Sequence, residues 1–178
     1  MASRMHRSSV CFACASVVLL LMSPLGAQTP AAQAPPPPPP NAPVPGPTLP
    51  EAQKAIAAAQ AAATKIGVNL SCAVVDSRGD LIALQRMDKA RFYTTDIARG
   101  KALMSAMFGQ PSANFAQLAN SPWFANLNTS AQGRLYPVQG AVPIMRNNQV
   151  LGAIGCSGAA SQQDEDAAKA GLATFPNM

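Results

Sequence analysis

The side chains through which this chain could do chemistry are a few cations, two tyrosines and two cysteines. The only histidine is His6, and it lies inside an N-terminal segment with the pattern of a removable leader. A mature chain without it excludes a Ser-His-Asp or Cys-His hydrolase, a His-ligated zinc site and histidine acid–base chemistry. Cys11 and Cys14 leave with the same segment, so Cys72 and Cys156 are the remaining thiols. Both fall in expected strands, and buried unpaired thiols are the expectation. A bridge between them is the alternative in an exported protein. Arg86, Lys89 and Arg91 gather beside Phe92 and Tyr93. That cluster is either a solvated loop or an anion-holding rim with an aromatic platform.

Lys101 shares a helical stripe with Ile97, Met104 and Phe108. A lysine so placed either snorkels to water, the commoner outcome, or turns its ammonium into a pocket. Gly100 beside it weakens a helix by about 1 kcal/mol against alanine, which points to a close approach of other atoms to the backbone. Asp96 is expected to cap the helix or compensate Arg99. The glycines of Gly152-Ala-Ile-Gly155-Cys-Ser-Gly158 match neither a dinucleotide fingerprint nor a Walker loop. Asp164, Glu165 and Asp166 would repel phosphate from the helix that follows. Close strand–helix packing is the better account of those glycines.

Positioning these groups requires a definite set of elements. Thr48-Leu-Pro-Glu51 forms a capping box ahead of a helix with Ala52, Ala55, Ile56, Ala59, Ala63 and Ile66 on one face, stopped by Gly67. Asn69–Asp76 is apolar on both faces and reads as a central strand, with Asp80–Met87 returning as its hairpin partner. Thr94 or Thr95 caps a second helix running to Phe108, before Gly109 and Pro111. Short helical pieces follow, with Trp123 among them. A second hairpin turns at Asn147-Asn148, and Ser161-x-x-Asp164 opens the last helix. Antiparallel hairpins with helices laid on the sheet make an α+β sandwich.

The first fifty residues are a different material. Arg4 and Arg7, the apolar run Val10–Met22 and the small pair Gly26-Ala27 form a secretory signal with cleavage after Ala27. Gln28–Pro50 holds 11 prolines in 23 residues and reads as an extended spacer without a core. The expected organisation is therefore a signal over 1–27, a disordered Pro-rich spacer over 28–50 and one domain over 51–178. After Arg4 and Arg7 are lost, 11 basic residues face 8 acids, a net charge of about +3 that is too mild for nucleic-acid or anionic-membrane binding. A charged content of 12% leaves part of the surface to be covered by another subunit.

Taken in order, Cys72-Ala-Val-Val-Asp76, Arg86-Met-Asp88, Asp96-Ile-Ala-Arg-Gly-Lys101-Ala, Gly140-Ala-Val-Pro143-Ile and Gly152-Ala-Ile-Gly155-Cys-Ser157-Gly158-Ala resemble the GlcG/HbpS haem-binding family and the related C-terminal domain of PduO. The resemblance spans nearly all of Glu51–Phe175. It implies an α/β sandwich around a central antiparallel sheet of about five strands, profilin-like, assembled into homo-oligomers. It also implies that the first and last strands are neighbours, and that the ligand is haem, with a corrinoid as the alternative tetrapyrrole. The chain departs from the family at Gln139-Gly140-Ala141, where a fuller glycine run is usual, and at Cys156, a usually aliphatic position.

On this basis the chain is expected to be an exported, periplasmic or secreted, haem-binding accessory or sensor-type protein. The rivals are a haem-degrading or haem-dependent enzyme, and a structural oligomer with a vestigial site. Haem offers an apolar face and two propionates. The expected site combines Ile97, Met104 and Pro143 with Arg86, Arg91, Asp96 and Lys101. Tyr93 is the first choice to bind the iron and Tyr136 the second, since positive neighbours favour an ionised phenol.

Overall fold

The computed structural model describes residues 46–175; the expected signal and most of the Pro-rich spacer lie outside them. The domain opens with α1 (Leu49–Lys65), whose first turn is closed by the expected box. The Glu51 amide donates to Thr48 Oγ1 and the Thr48 amide to Glu51 Oε2, at 3.4 and 2.8 Å. Strands β1 (Ser71–Asp76) and β2 (Leu81–Arg86) form the first hairpin, followed by α2 (Thr94–Phe108). A 3-10 helix (Ser112–Leu118) and α3 (Pro122–Ser130) lead to β3 (Ala141–Arg146), β4 (Gln149–Ser157) and α4 (Ser161–Leu172).

The strands form one antiparallel sheet in the order β2-β1-β4-β3. β1 is central, as its two apolar faces require, and it pairs with β4. Four strands stand where about five were expected. The long segment between α2 and β3 is spent on the 3-10 helix, α3 and an irregular return.

Alternation along the strands sends side chains to two cores. Cys72, Val74, Val142, Ile144, Ile154 and Cys156 face α1 and α4, whose Ala52, Ala55, Ile56, Ala59, Ala167 and Ala168 complete the main core. Val75 and Ala153 face the other way, onto Ala102 and Ala106 of α2. Gly155 is what lets α2 lie so near: a Cβ there would stand 2.5 Å from the Ala98 carbonyl oxygen. Beyond α2, Leu103 and Met104 pack with Phe115, Phe124 and Leu135. Helix α2 is thus enclosed on most sides, and nine of its fifteen residues are buried.

Two expectations about thiols and caps are corrected. Cys72 and Cys156 are directly opposed in the β1–β4 ladder, with Cα atoms 4.2 Å apart, and they form a disulfide. The register that decides this joins strands separated by 84 residues. The Thr94 side chain does not cap α2. Tyr93 holds the N-cap position without a side-chain cap bond, while Thr94 Oγ1 donates to the Arg91 carbonyl at 2.6 Å and lies 2.8 Å from Ser71 Oγ. A hydroxyl has one proton, so Ser71 is the donor in the second bond. The loop before α2 is thereby pinned to the start of β1.

Candidate functional site

The loop from β2 to α2 carries the cation and aromatic cluster. Arg86 Nη1 donates to the Ala90 carbonyl at 3.0 Å, bracing the loop from its entrance. Arg91 Nη1 donates to Tyr93 Oη at 2.9 Å, and this bond raises the pKa of the Arg91 guanidinium. The Phe92 and Tyr93 rings meet edge to face, with centroids 5.5 Å apart. Phe92 is 80% exposed and Tyr93 40%, so the aromatic platform faces outward.

Two concave surfaces flank this loop, and they share no lining residue. A groove of about 530 Å³ runs between the end of α1 and the exit of β2, lined by Gln60, Thr64, Val68, Arg86, Met87 and Lys89 among others. A cleft of about 320 Å³ lies between α2 and the return that follows α3, lined by Asp96, Arg99, Gly100, Leu103, Gly133, Arg134 and Tyr136. Tyr93, Asp96, Gly100 and Leu103 recur at intervals of three and four, so the rim and the cleft follow one face of α2. The Tyr136 ring lies against Gly100, where any Cβ would collide with it. This is the close approach that Gly100 announces in the sequence.

The other expected site residues are scattered. Arg86 belongs to the first groove, while Asp96 belongs to the second cleft. Ile97 is half-buried and lines neither. Pro143 is half-buried on β3, a strand at the edge of the sheet, where its missing N–H is tolerated. Met104 is fully buried in the core beyond α2, so it can be neither an exposed apolar wall nor an iron ligand. The disulfide removes both thiolates from the set of iron donors.

Lys101 is the largest correction. It neither snorkels nor faces a ligand, because its ammonium is buried against Asp164, the Cys156 carbonyl and the Gly140 backbone. Its ammonium, 2% exposed, reaches the end of the sheet, 2.8 Å from Asp164 Oδ2 and 3.2 Å from the Cys156 carbonyl oxygen. Asp164 is its partner. Burial pushes the Asp164 carboxyl up, while the Lys101 ammonium and the Ala159 amide pull it back down. The Gly140 backbone closes over the pair; a Cβ there would stand 2.7 Å from the ammonium nitrogen. This is an internal tie between α2 and α4, committed before any ligand arrives.

Arg99 and Arg134 were not among the expected site residues. Arg99 was visible only as a neighbour of Asp96, and nothing local marks Arg134, which reaches the cleft through the fold of the 131–136 return.

An antiparallel sheet with α1 and α4 on one face and α2 on the other, carrying a basic and aromatic rim beside a cleft, defines a small ligand-binding α+β domain. The family model described as haem degrading protein HbpS-like matches residues 48–173, and the chain belongs to that family. Protein GlcG of Escherichia coli K12 is 33% identical over 102 residues, which cover 57% of this chain and 74% of GlcG. The crystal structure of HbpS superposes with a TM-score of 0.66 at 30% identity, covering 74% of this chain and 92% of HbpS. A PduOC:heme complex shares the fold with a TM-score of 0.66 at 21% identity, over 74% of this chain and 96% of that one.

Proposed function

We propose that this chain is an exported haem-binding protein of accessory or sensor type, acting by holding its ligand, with Tyr93 as the protein donor to the iron. Membership of a family described as haem-degrading and HbpS-like carries the ligand class. Haem is preferred to a corrinoid because these relatives name haem and no corrinoid. The Arg91–Tyr93 hydrogen bond of 2.9 Å supports the iron donor, since it holds a permanent cation on the phenol oxygen. Bound haem would bring redox and oxygen chemistry that side chains lack. The protein's own part is to offer the phenol, the cationic rim and the exposed Phe92 face.

Export rests on the signal over 1–27 and gains support from the disulfide, which persists in oxidising compartments. The Pro-rich spacer would then hold the domain, which opens at Thr48 and Leu49 and not at Glu51, away from its terminus. Assembly into homo-oligomers is supported by the low charge density and by exposed apolar side chains such as Leu81, Trp123 and Met107.

Titration of the purified protein with haem, followed by absorbance, tests the reading. A saturable spectrum that changes in form in Tyr93→Phe, and not in Tyr136→Phe, is expected. Absence of any binding would refute it. The family description also favours a second reading, haem breakdown. Loss of the haem spectrum with release of iron, in the presence of a reductant, would establish that reading instead.

A further inference from the structure

The cleft on the outer face of α2 holds charges that the fold leaves unused. Among the described residues, neither Arg99, Arg134 nor Asp96 takes part in an ion pair. The Arg134 guanidinium is oriented by its Nε, which donates to the Ala131 carbonyl at 3.0 Å, leaving the two terminal nitrogens for a ligand. Arg99 approaches from α2 on the opposite wall. Gly100 makes the convergence possible: a Cβ there would strike the Tyr136 ring and come within 2.6 Å of the Arg134 carbonyl oxygen. With glycine, the return segment closes onto the helix, and Arg99 and Arg134 line one cavity together with Asp96, with Leu103 as its apolar part.

We propose that this cleft is a receptor for paired carboxylates, and, resting on the haem reading above, that it takes the propionate edge of the ligand through Arg99 and Arg134. Guanidinium and carboxylate match as bidentate partners, and two such pairs meet the two propionates. A volume of about 320 Å³ lies at the small end of ligand sites, suited to the acidic edge of a tetrapyrrole with the macrocycle outside. That arrangement places the macrocycle over the face of α2 that leads to Tyr93, seven residues or about 10 Å of helix away. The roles first assigned to Lys101 and Arg86 pass to two other cations, because Lys101 is bound to Asp164 and Arg86 lines a separate groove.

A free dicarboxylate has the same recognition chemistry, so the test needs three ligands. The full-length exported protein, Arg99→Gln, Arg134→Gln and the double variant are titrated with haem and with haem dimethyl ester, whose propionates are blocked. Thermal melts with succinate run alongside. Both arginines lie at the surface of the cleft, and far-UV circular dichroism checks that the variants fold. The unaltered protein should bind haem at least about tenfold more tightly than the ester, and the double variant should bind both alike. Equal affinities in the unaltered protein, or discrimination that survives in the double variant, would overturn the receptor while leaving the haem reading intact. If neither haem nor ester binds, the haem reading falls and succinate decides. A rise in Tm that the double variant loses keeps the receptor for free dicarboxylates, and no rise ends it.

Discussion

Replacing Lys101 by methionine should destabilise the domain severely without touching the proposed ligand face. The side chain is 2% exposed and its ammonium holds two acceptors, Asp164 Oδ2 at 2.8 Å and the Cys156 carbonyl at 3.2 Å. Removing one member of a buried pair leaves an uncompensated charge and costs about 3–5 kcal/mol. Asp164 Oδ1 keeps the Ala159 amide at 2.9 Å, so the lower end, about 3 kcal/mol, is expected. Urea unfolding of the oxidised protein reads the loss as a shifted midpoint at unchanged slope. The deficit should depend on pH. Without the ammonium, burial acts on Asp164 with less opposition, so the native state holds its proton more firmly than the unfolded chain does. Stability then falls as pH rises above the ordinary carboxylate range, and the deficit should be larger at pH 8 than at pH 5. Pairing Lys101→Met with Asp164→Leu removes both charges and should recover much of the loss. A cost below about 1 kcal/mol, or a double variant no better than the single, would refute the account of a buried tie.

Three further outcomes follow from the same geometry. Counting thiols in denaturant without reductant should find neither Cys72 nor Cys156 free, and Cys72→Ala/Cys156→Ala should lose up to about 4.5 kcal/mol in urea unfolding, the chain-entropy value for a separation of 84 residues. Gly100→Ala should push Tyr136 and the Arg134 carbonyl off α2, costing about 1–3 kcal/mol as an overpacked contact and exposing the 131–136 return to faster proteolysis. The Thr48 amide, and then its hydroxyl, hold the Glu51 carboxyl below the usual carboxylate range. A lowered carboxyl adds stability above its unfolded pKa and loses it as pH falls through the folded value, so Glu51→Gln should flatten the acid side of a Tm–pH curve.

Local signals in the chain were sufficient for most of the scaffold. Thr48 and Glu51 cap α1 because a capping box needs only four consecutive residues. Ser71–Asp76 lies in the middle of the sheet because both of its faces are apolar, and the β3–β4 hairpin turns at Asn147-Asn148, both at positive φ. Gly100 announced a close neighbour, though not which one. The errors have a common cause in long-range geometry. Pairing of Cys72 with Cys156 depends on the β1–β4 register, which no local pattern carries. Lys101 was expected to snorkel or to face a pocket because a helical stripe shows only its own helix; only the fold brings Asp164, the Cys156 carbonyl and the Gly140 backbone around its ammonium. Arg99 and Arg134 meet in one cleft for the same kind of reason. The composition and motifs by themselves determined the secondary elements and the central strand. Which cations are spent inside and which are left for a ligand was decided by the tertiary structure, because a charge is free or committed only according to what the rest of the chain brings within hydrogen-bonding distance.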